Sequence, residues 1–64
     1  MKGRLLTKKE EIKYSTQMKS LELQMDRFIF GFKKQWRIEN TGIVRLYFGN
    51  SDGYTKFGSF IPFN

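Results

Sequence analysis

The chain reads as an α+β domain, one N-terminal helix packed on a three-stranded antiparallel β-meander in two layers (αβββ). Three observations predict this. Apolar residues recur at helical spacing only in the first half, and period-two alternation takes over in the second. Two Asn- and Gly-containing turns then cut the second half into strands of similar length.

The helix has a marked start. Thr7 and Glu10 have the spacing of a capping box, in which a hydroxyl and a carboxylate each satisfy a backbone N–H that the first turn leaves without a partner. Behind them Tyr14, Met18, Leu21, Met25 and Phe28 fall at alternating spacings of four and three, one face of a helix. No Gly or Pro intervenes before Gly31, which suits a C-terminal stop. The expected helix runs from about residue 8 to 29, with an arm over 1–7. Lys9, Lys13, Lys19, Glu22 and Asp26 lie on the opposite face, where solvation and a Lys19–Glu22 pair are expected. The stripe is two heptads long, so core packing is favoured over a coiled coil.

The meander occupies 33–60 and a short tail 61–64, so that 1–64 forms a single domain. Its strands are Lys33 to Glu39, Ile43 to Gly49 and Tyr54 to Phe60, joined by Asn40-Thr41-Gly42 and Asn50-Ser51-Asp52-Gly53. A three-residue first loop pairs Arg37 with Arg45, Gln35 with Tyr47 and Trp36 with Leu46. A four-residue second loop pairs Tyr47 with Lys56, Leu46 with Phe57 and Arg45 with Gly58. Both hairpins agree on the faces. Trp36, Ile38, Val44, Leu46, Phe48 and Phe57 form the apolar one; Lys33, Gln35, Arg37, Arg45, Tyr47, Tyr54 and Lys56 form the polar one. A one-residue slip would scramble both sets. Three strands make a sheet roughly 14 Å wide, which one helix about 10–12 Å across covers. The helix is longer than the strands and should overhang at its Lys-rich start. Lys34, at the end of the apolar face, is expected to snorkel outward.

Composition excludes most chemistry. With no Cys and no His among 64 residues, the chain has no disulfide, no thiolate nucleophile, no zinc finger and no Ser–His–Asp triad. Neither a catalytic residue, a metal ligand set nor a cofactor site is expected. Glu22 and Asp26 share a helix face without further converging oxygens, and Asn50 to Gly53 lacks the acidic spacing of a calcium loop. The longest apolar run is three residues, so no membrane partner is expected, and the two-residue apolar segment after the basic start does not make a signal peptide. A cytoplasmic location follows as the expectation.

What remains is a basic binding module. Twelve Lys and Arg stand against six Asp and Glu, a net charge of +6, with a pI near 9.9. On the polar face Arg37 opposes Arg45, a destabilising juxtaposition that a bridging phosphate would relieve. Tyr47 and Tyr54 lie among Lys33, Gln35 and Lys56, an arrangement suited to stacking bases while neutralising phosphates. Those seven residues are the candidate nucleic-acid site, for RNA or DNA. The order α-β-β-β resembles the double-stranded-RNA-binding fold without its last helix. Gly42 to Phe48 with Gly53 to Phe57 resembles the sheet core of small bacterial mRNA-cutting toxins.

The alternative is a protein-binding regulator or inhibitor. Strand 54–60 is an outer strand with Lys56 as its only charge, while Lys33, Lys34 and Arg37 guard the other edge. Ile43 and Phe60 fall on the outer face and Ile61 and Phe63 follow, an expected interface for a second copy or a protein partner. The Lys-, Ile-, Phe- and Asn-rich composition suits an AT-rich genome and with it a viral, phage or mobile-element gene.

Overall fold

A computed structural model describes residues 3–62. The elements run β1 (Arg4–Leu5), α1 (Lys8–Lys13), α2 (Ser15–Asp26), β2 (Lys33–Ile38), β3 (Val44–Asn50) and β4 (Gly53–Phe60). The class is α+β as expected, with the helical layer on one face of an antiparallel sheet. That sheet has four strands rather than three, in the order β1-β2-β3-β4.

The extra strand comes from the N-terminal arm. Arg4 pairs with Ile38 and Leu5 with Arg37, so the β2 edge is covered instead of being guarded by its own cations. Two residues are too few to show a period, and the arm is held by side chains. Arg4 forks onto Glu10 at 2.8 and 2.9 Å, Glu10 also accepts from the Thr7 amide at 2.9 Å, and the Thr7 hydroxyl accepts from the Glu10 amide at 3.2 Å. The capping box therefore doubles as an anchor. Gly3 adopts φ 78°, and a Cβ built there would stand 2.3 Å from the Ile38 carbonyl oxygen, so only glycine permits this approach.

The helix bends at Tyr14 (φ −104°, ψ 15°). Hydrogen bonds from Tyr14 to Glu10 and from Met18 to Tyr14 carry the chain through the bend. Ser15 and Thr16, weak helix formers, follow it. No residue of α1 is buried, so no core contact holds it in line with α2.

The core consists of Met18, Met25, Trp36, Ile38, Val44 and Leu46, with Leu6, Tyr14, Leu21, Ile29, Phe48, Phe57 and Phe60 packed around it. Four of the five stripe residues turn inward. Phe28 does not: α2 stops at Asp26, and Ile29 packs inward in its place. Trp36 satisfies its indole N–H on Glu22 Oε2 at 2.7 Å. Lys34 reaches Asp26 at 2.9 Å and Glu22 at 3.8 Å. Glu22 and Asp26 thus tie helix to sheet from a face that is otherwise solvated as expected, with Asp26 itself exposed, and Lys34 takes the place expected of Lys19.

The β2–β3 register matches expectation at every pair: Lys34 with Phe48, Gln35 with Tyr47, Trp36 with Leu46, Arg37 with Arg45 and Ile38 with Val44. The β3–β4 register holds from Asn50–Gly53 to Tyr47–Lys56 and then shifts by one, giving Leu46–Gly58, Arg45–Ser59 and Val44–Phe60. Phe57 is the extra residue of a β-bulge. Beyond it the faces exchange, so Phe60 lies on the core side and not on the outer face. Its ring meets Trp36 edge-on at 5.9 Å and Tyr14 at 6.5 Å. Gly58 faces the helix, where an added Cβ would meet Leu21 Cδ1 at 3.2 Å.

Two outcomes are expected. Trp36→Ala, which empties the centre of the helix–sheet interface, lowers unfolding free energy by about 3–5 kcal/mol, comparable to the whole stability of a domain this size, as read by denaturant melts. Glu10 carries a carboxyl lowered from the ordinary 4.5 to about 2, chiefly by the Arg4 hydrogen bond and then by the Thr7 amide. Because its folded value is depressed, this stabilisation is complete above the ordinary value and is lost as pH falls through about 2. The amide shifts of Gly3 to Leu5 should move away from their strand-paired positions over that window, and Glu10→Gln should abolish the pH dependence.

Candidate nucleic-acid interface

Alternation and the β2–β3 register place all seven candidate residues on the sheet face away from the helix, in three rows across the strands. Lys33, Gly49 and Tyr54 form the first row, Gln35, Tyr47 and Lys56 the second, and Arg37, Arg45 and Ser59 the third. Leu5 extends the third row onto β1. Placement on one face is as expected. The state of the side chains is not.

Tyr47 is 7% exposed. Its row neighbours are Gln35 and Lys56, with Arg45 and Gly49 before and after it on its own strand face. A ring this buried has no free face for a base, so Tyr47 is a packing residue of the outer layer. Tyr54 is half-buried. Lys33 and Lys56 are exposed, and among the described residues neither has an ion-pair partner.

The two arginines are not left in mutual repulsion. Arg45 Nε lies 2.5 Å from Glu39 Oε2. The contact is off the N–H axis, a Coulombic pair with no directed hydrogen bond to either atom. Arg37 donates to the Gly3 carbonyl at 2.6 Å and to Gln35 Oε1 at 3.3 Å. The anion expected to bridge them is therefore partly supplied from within, by Glu39 and a backbone oxygen. Glu39, the counter-ion of Arg45 on this face, is absent from the candidate set read from the sequence, and the signal was present. It lies two residues beyond Arg37 on the same strand face, diagonal to Arg45 across the turn.

The remaining carboxylates are also largely committed. Glu10 is held by Arg4, and Glu22 and Asp26 by Lys34. Among the described residues this leaves Glu11 and Asp52 outside any ion pair, against the exposed cations Lys8, Lys9, Lys13, Lys19, Arg27, Lys33 and Lys56. Lys13 lies 5.6 Å from the centre of the Tyr14 ring. The positive field is thus carried by exposed lysines and Arg27, spread over sheet, helices and the α2–β2 connection. Among the described residues no three of His, Cys, Asp and Glu gather as metal ligands, and no helix is long and apolar enough to cross a membrane.

Of the expected protein interface, Ile61 is 76% exposed and Ile43 half-buried. Phe60 is turned to the core, and Phe63 lies outside the described residues. The β4 edge is open, but the Phe57 bulge interrupts it, a device that hinders edge-to-edge pairing.

Compared with known proteins, the chain matches no family model, no curated protein and no solved structure. The order β-α-α-β-β-β also departs from the double-stranded-RNA-binding order, because a strand precedes the helices.

The Glu39–Arg45 pair makes a testable demand. Arg45→Gln strands a carboxylate with a side chain only 14% exposed and should cost about 1–3 kcal/mol. Adding Glu39→Gln should recover most of that loss, with the coupling measured as a double-mutant cycle in urea.

Proposed function

We propose that the chain is a small basic nucleic-acid-binding accessory protein that holds phosphates on its exposed cations, with the outer sheet face as the centre of the contact. The supporting observation is the imbalance of commitments. Among the described residues four carboxylates are engaged by three cations that also tie the fold together, while most of the other cations are exposed and outside the ion pairs. Releasing condensed counterions from a polyanion then provides the driving force. Lys33 and Lys56 contribute directly on this face, and Arg37 and Arg45 contribute to its potential while remaining in their internal ties. Stacking by Tyr47 has no part in this account, because the ring is buried.

The slope of log affinity against log salt tests it. Four phosphates neutralised on duplex DNA give a slope near −3 to −4. Lys33→Gln with Lys56→Gln should flatten this by about 1.5–2 without moving the melting temperature, since neither lysine has an ion-pair partner among the described residues. Glu39→Gln, which removes an acid from the face and releases Arg45, should steepen it by roughly 0.7–0.9. Absence of binding to any nucleic acid at low salt would refute the proposal.

One observation favours a protein-binding regulator as a second reading. Beside the open β4 edge lies a groove of about 520 Å³, lined by Thr16, Gln17, Ser20, Leu21, Gln24, Ser59 and Phe60. An extended peptide adding to β4 would pair its backbone with the edge and lay alternate side chains in this groove. Sedimentation at high concentration separates the forms: a strict monomer removes pairing with a second copy and leaves a heterologous peptide as the occupant.

A further inference from the structure

The connection between α2 and β2 presents aromatic rings in an unusual way. Phe28 and Phe30 are each 78% exposed, yet the segment that bears them is fastened on both sides. The amides of Phe28 and Ile29 donate to the Met25 carbonyl at 3.0 and 2.9 Å, and Ile29 packs on the core. After Gly31, whose φ of 77° turns the chain, Phe32 meets the Phe48 ring edge-on at 5.7 Å. Inward Ile29, with Phe32 resting on Phe48 although 44% exposed itself, thus holds two rings outward on a short, tethered loop. Pre-ordering of this kind lowers the entropic cost of binding.

The electrostatic setting selects the occupant. From Arg27 to Ile38 the chain carries Arg27, Lys33, Lys34 and Arg37 and no carboxylate. The nearest acid before it, Asp26, is engaged by Lys34. Arg27 and Lys33 bracket the two rings, and neither has an ion-pair partner among the described residues. The rings stand singly, separated by an inward Ile, and do not form the continuous apolar face of a helix that lies in a lipid interface. Rings interleaved with cations fit a strand that offers bases and phosphates in alternation.

We infer that Phe28 and Phe30 are a stacking platform for single-stranded nucleic acid, with Arg27 and Lys33 holding the flanking phosphates. The inference rests on the nucleic-acid reading and narrows it to a strand class and a place. Lys33 opens β2 on the outer face, in the row that includes Tyr54, so the platform continues into the sheet's cationic rows. The stacking that Tyr47 cannot provide is moved to the loop.

The test is fluorescence anisotropy with a labelled 15-nucleotide single strand and the duplex of the same sequence, at two salt concentrations. Phe28→Ala with Phe30→Ala should weaken single-strand binding by at least about 25-fold, from about 5-fold or more per ring, and duplex binding by less than twofold. The salt slope should not change, because no charge is removed. Phe28→Leu with Phe30→Leu should lose most of the same affinity, since bulk is kept and the aromatic face is not. Unchanged melting temperatures exclude misfolding of these exposed-site variants. Equal losses on both ligands, or none, would overturn the platform and leave phosphate binding standing. No binding of the unaltered chain to either ligand would overturn both readings. If the Ala variant instead loses binding to phosphatidylglycerol-containing vesicles while the Leu variant and oligonucleotide binding are unaffected, the loop is a lipid anchor and the inference is wrong.

Discussion

A 64-residue chain without disulfides has little apolar surface to bury, and its helix is set on its sheet through Trp36. The indole ring fills the centre of the interface, meets Phe60 edge-on, and places its one polar atom on Glu22 of α2. A buried N–H without a partner would offset much of the gain from burying the ring, so the hydrogen bond sets the rotation of the helix about its axis. With Glu22 fixed, Lys34 finds Glu22 and Asp26 together, and Met18 and Met25 point to the sheet. One contact thus aligns the apolar stripe and the ionic ties along its border.

The ionic ties have a second consequence. Each joins neighbouring elements: the arm to the first helix through Arg4 and Glu10, the second helix to β2 through Lys34, and the β2–β3 turn to β3 through Glu39 and Arg45. Exposed pairs are individually weak. Their effect is to sort the charges. Acids are drawn into the scaffold while lysines remain outside, so a modest excess of cations becomes a surface on which most exposed charge is positive. Structure and proposed partner are linked through this sorting.

The outer sheet face is correspondingly less free than its composition suggests. Gln35, Arg37, Glu39, Arg45 and Tyr54 are half-buried there and Tyr47 fully so. With no second layer above them among the described residues, these long side chains lie against one another, Arg37 donating to Gln35 and Arg45 paired in charge with Glu39. That layer supports the sheet and contributes potential. The groups available for direct contact lie at its border, on Lys33, Lys56 and the aromatic loop leading into β2.

The sequence by itself determined the class, the position of the helix cap, the β2–β3 register and the membership of the two faces up to Lys56. These follow from local rules: a capping box needs four residues, a hairpin needs its turn, and alternation assigns the faces. Only the tertiary structure decided the rest. The Phe57 bulge reversed the faces for the last residues of β4 and brought Phe60 onto Trp36, because a single inserted residue leaves no mark on the pattern that precedes it. The two-residue β1 strand depends on the close approach of Gly3 to β2, on the Arg37 hydrogen bond to the Gly3 carbonyl, and on the Arg4–Glu10 tie to the helix cap. Whether an arginine is free or paired, and whether a tyrosine is open or covered, depends on neighbours that meet across strands, and composition cannot rank those encounters.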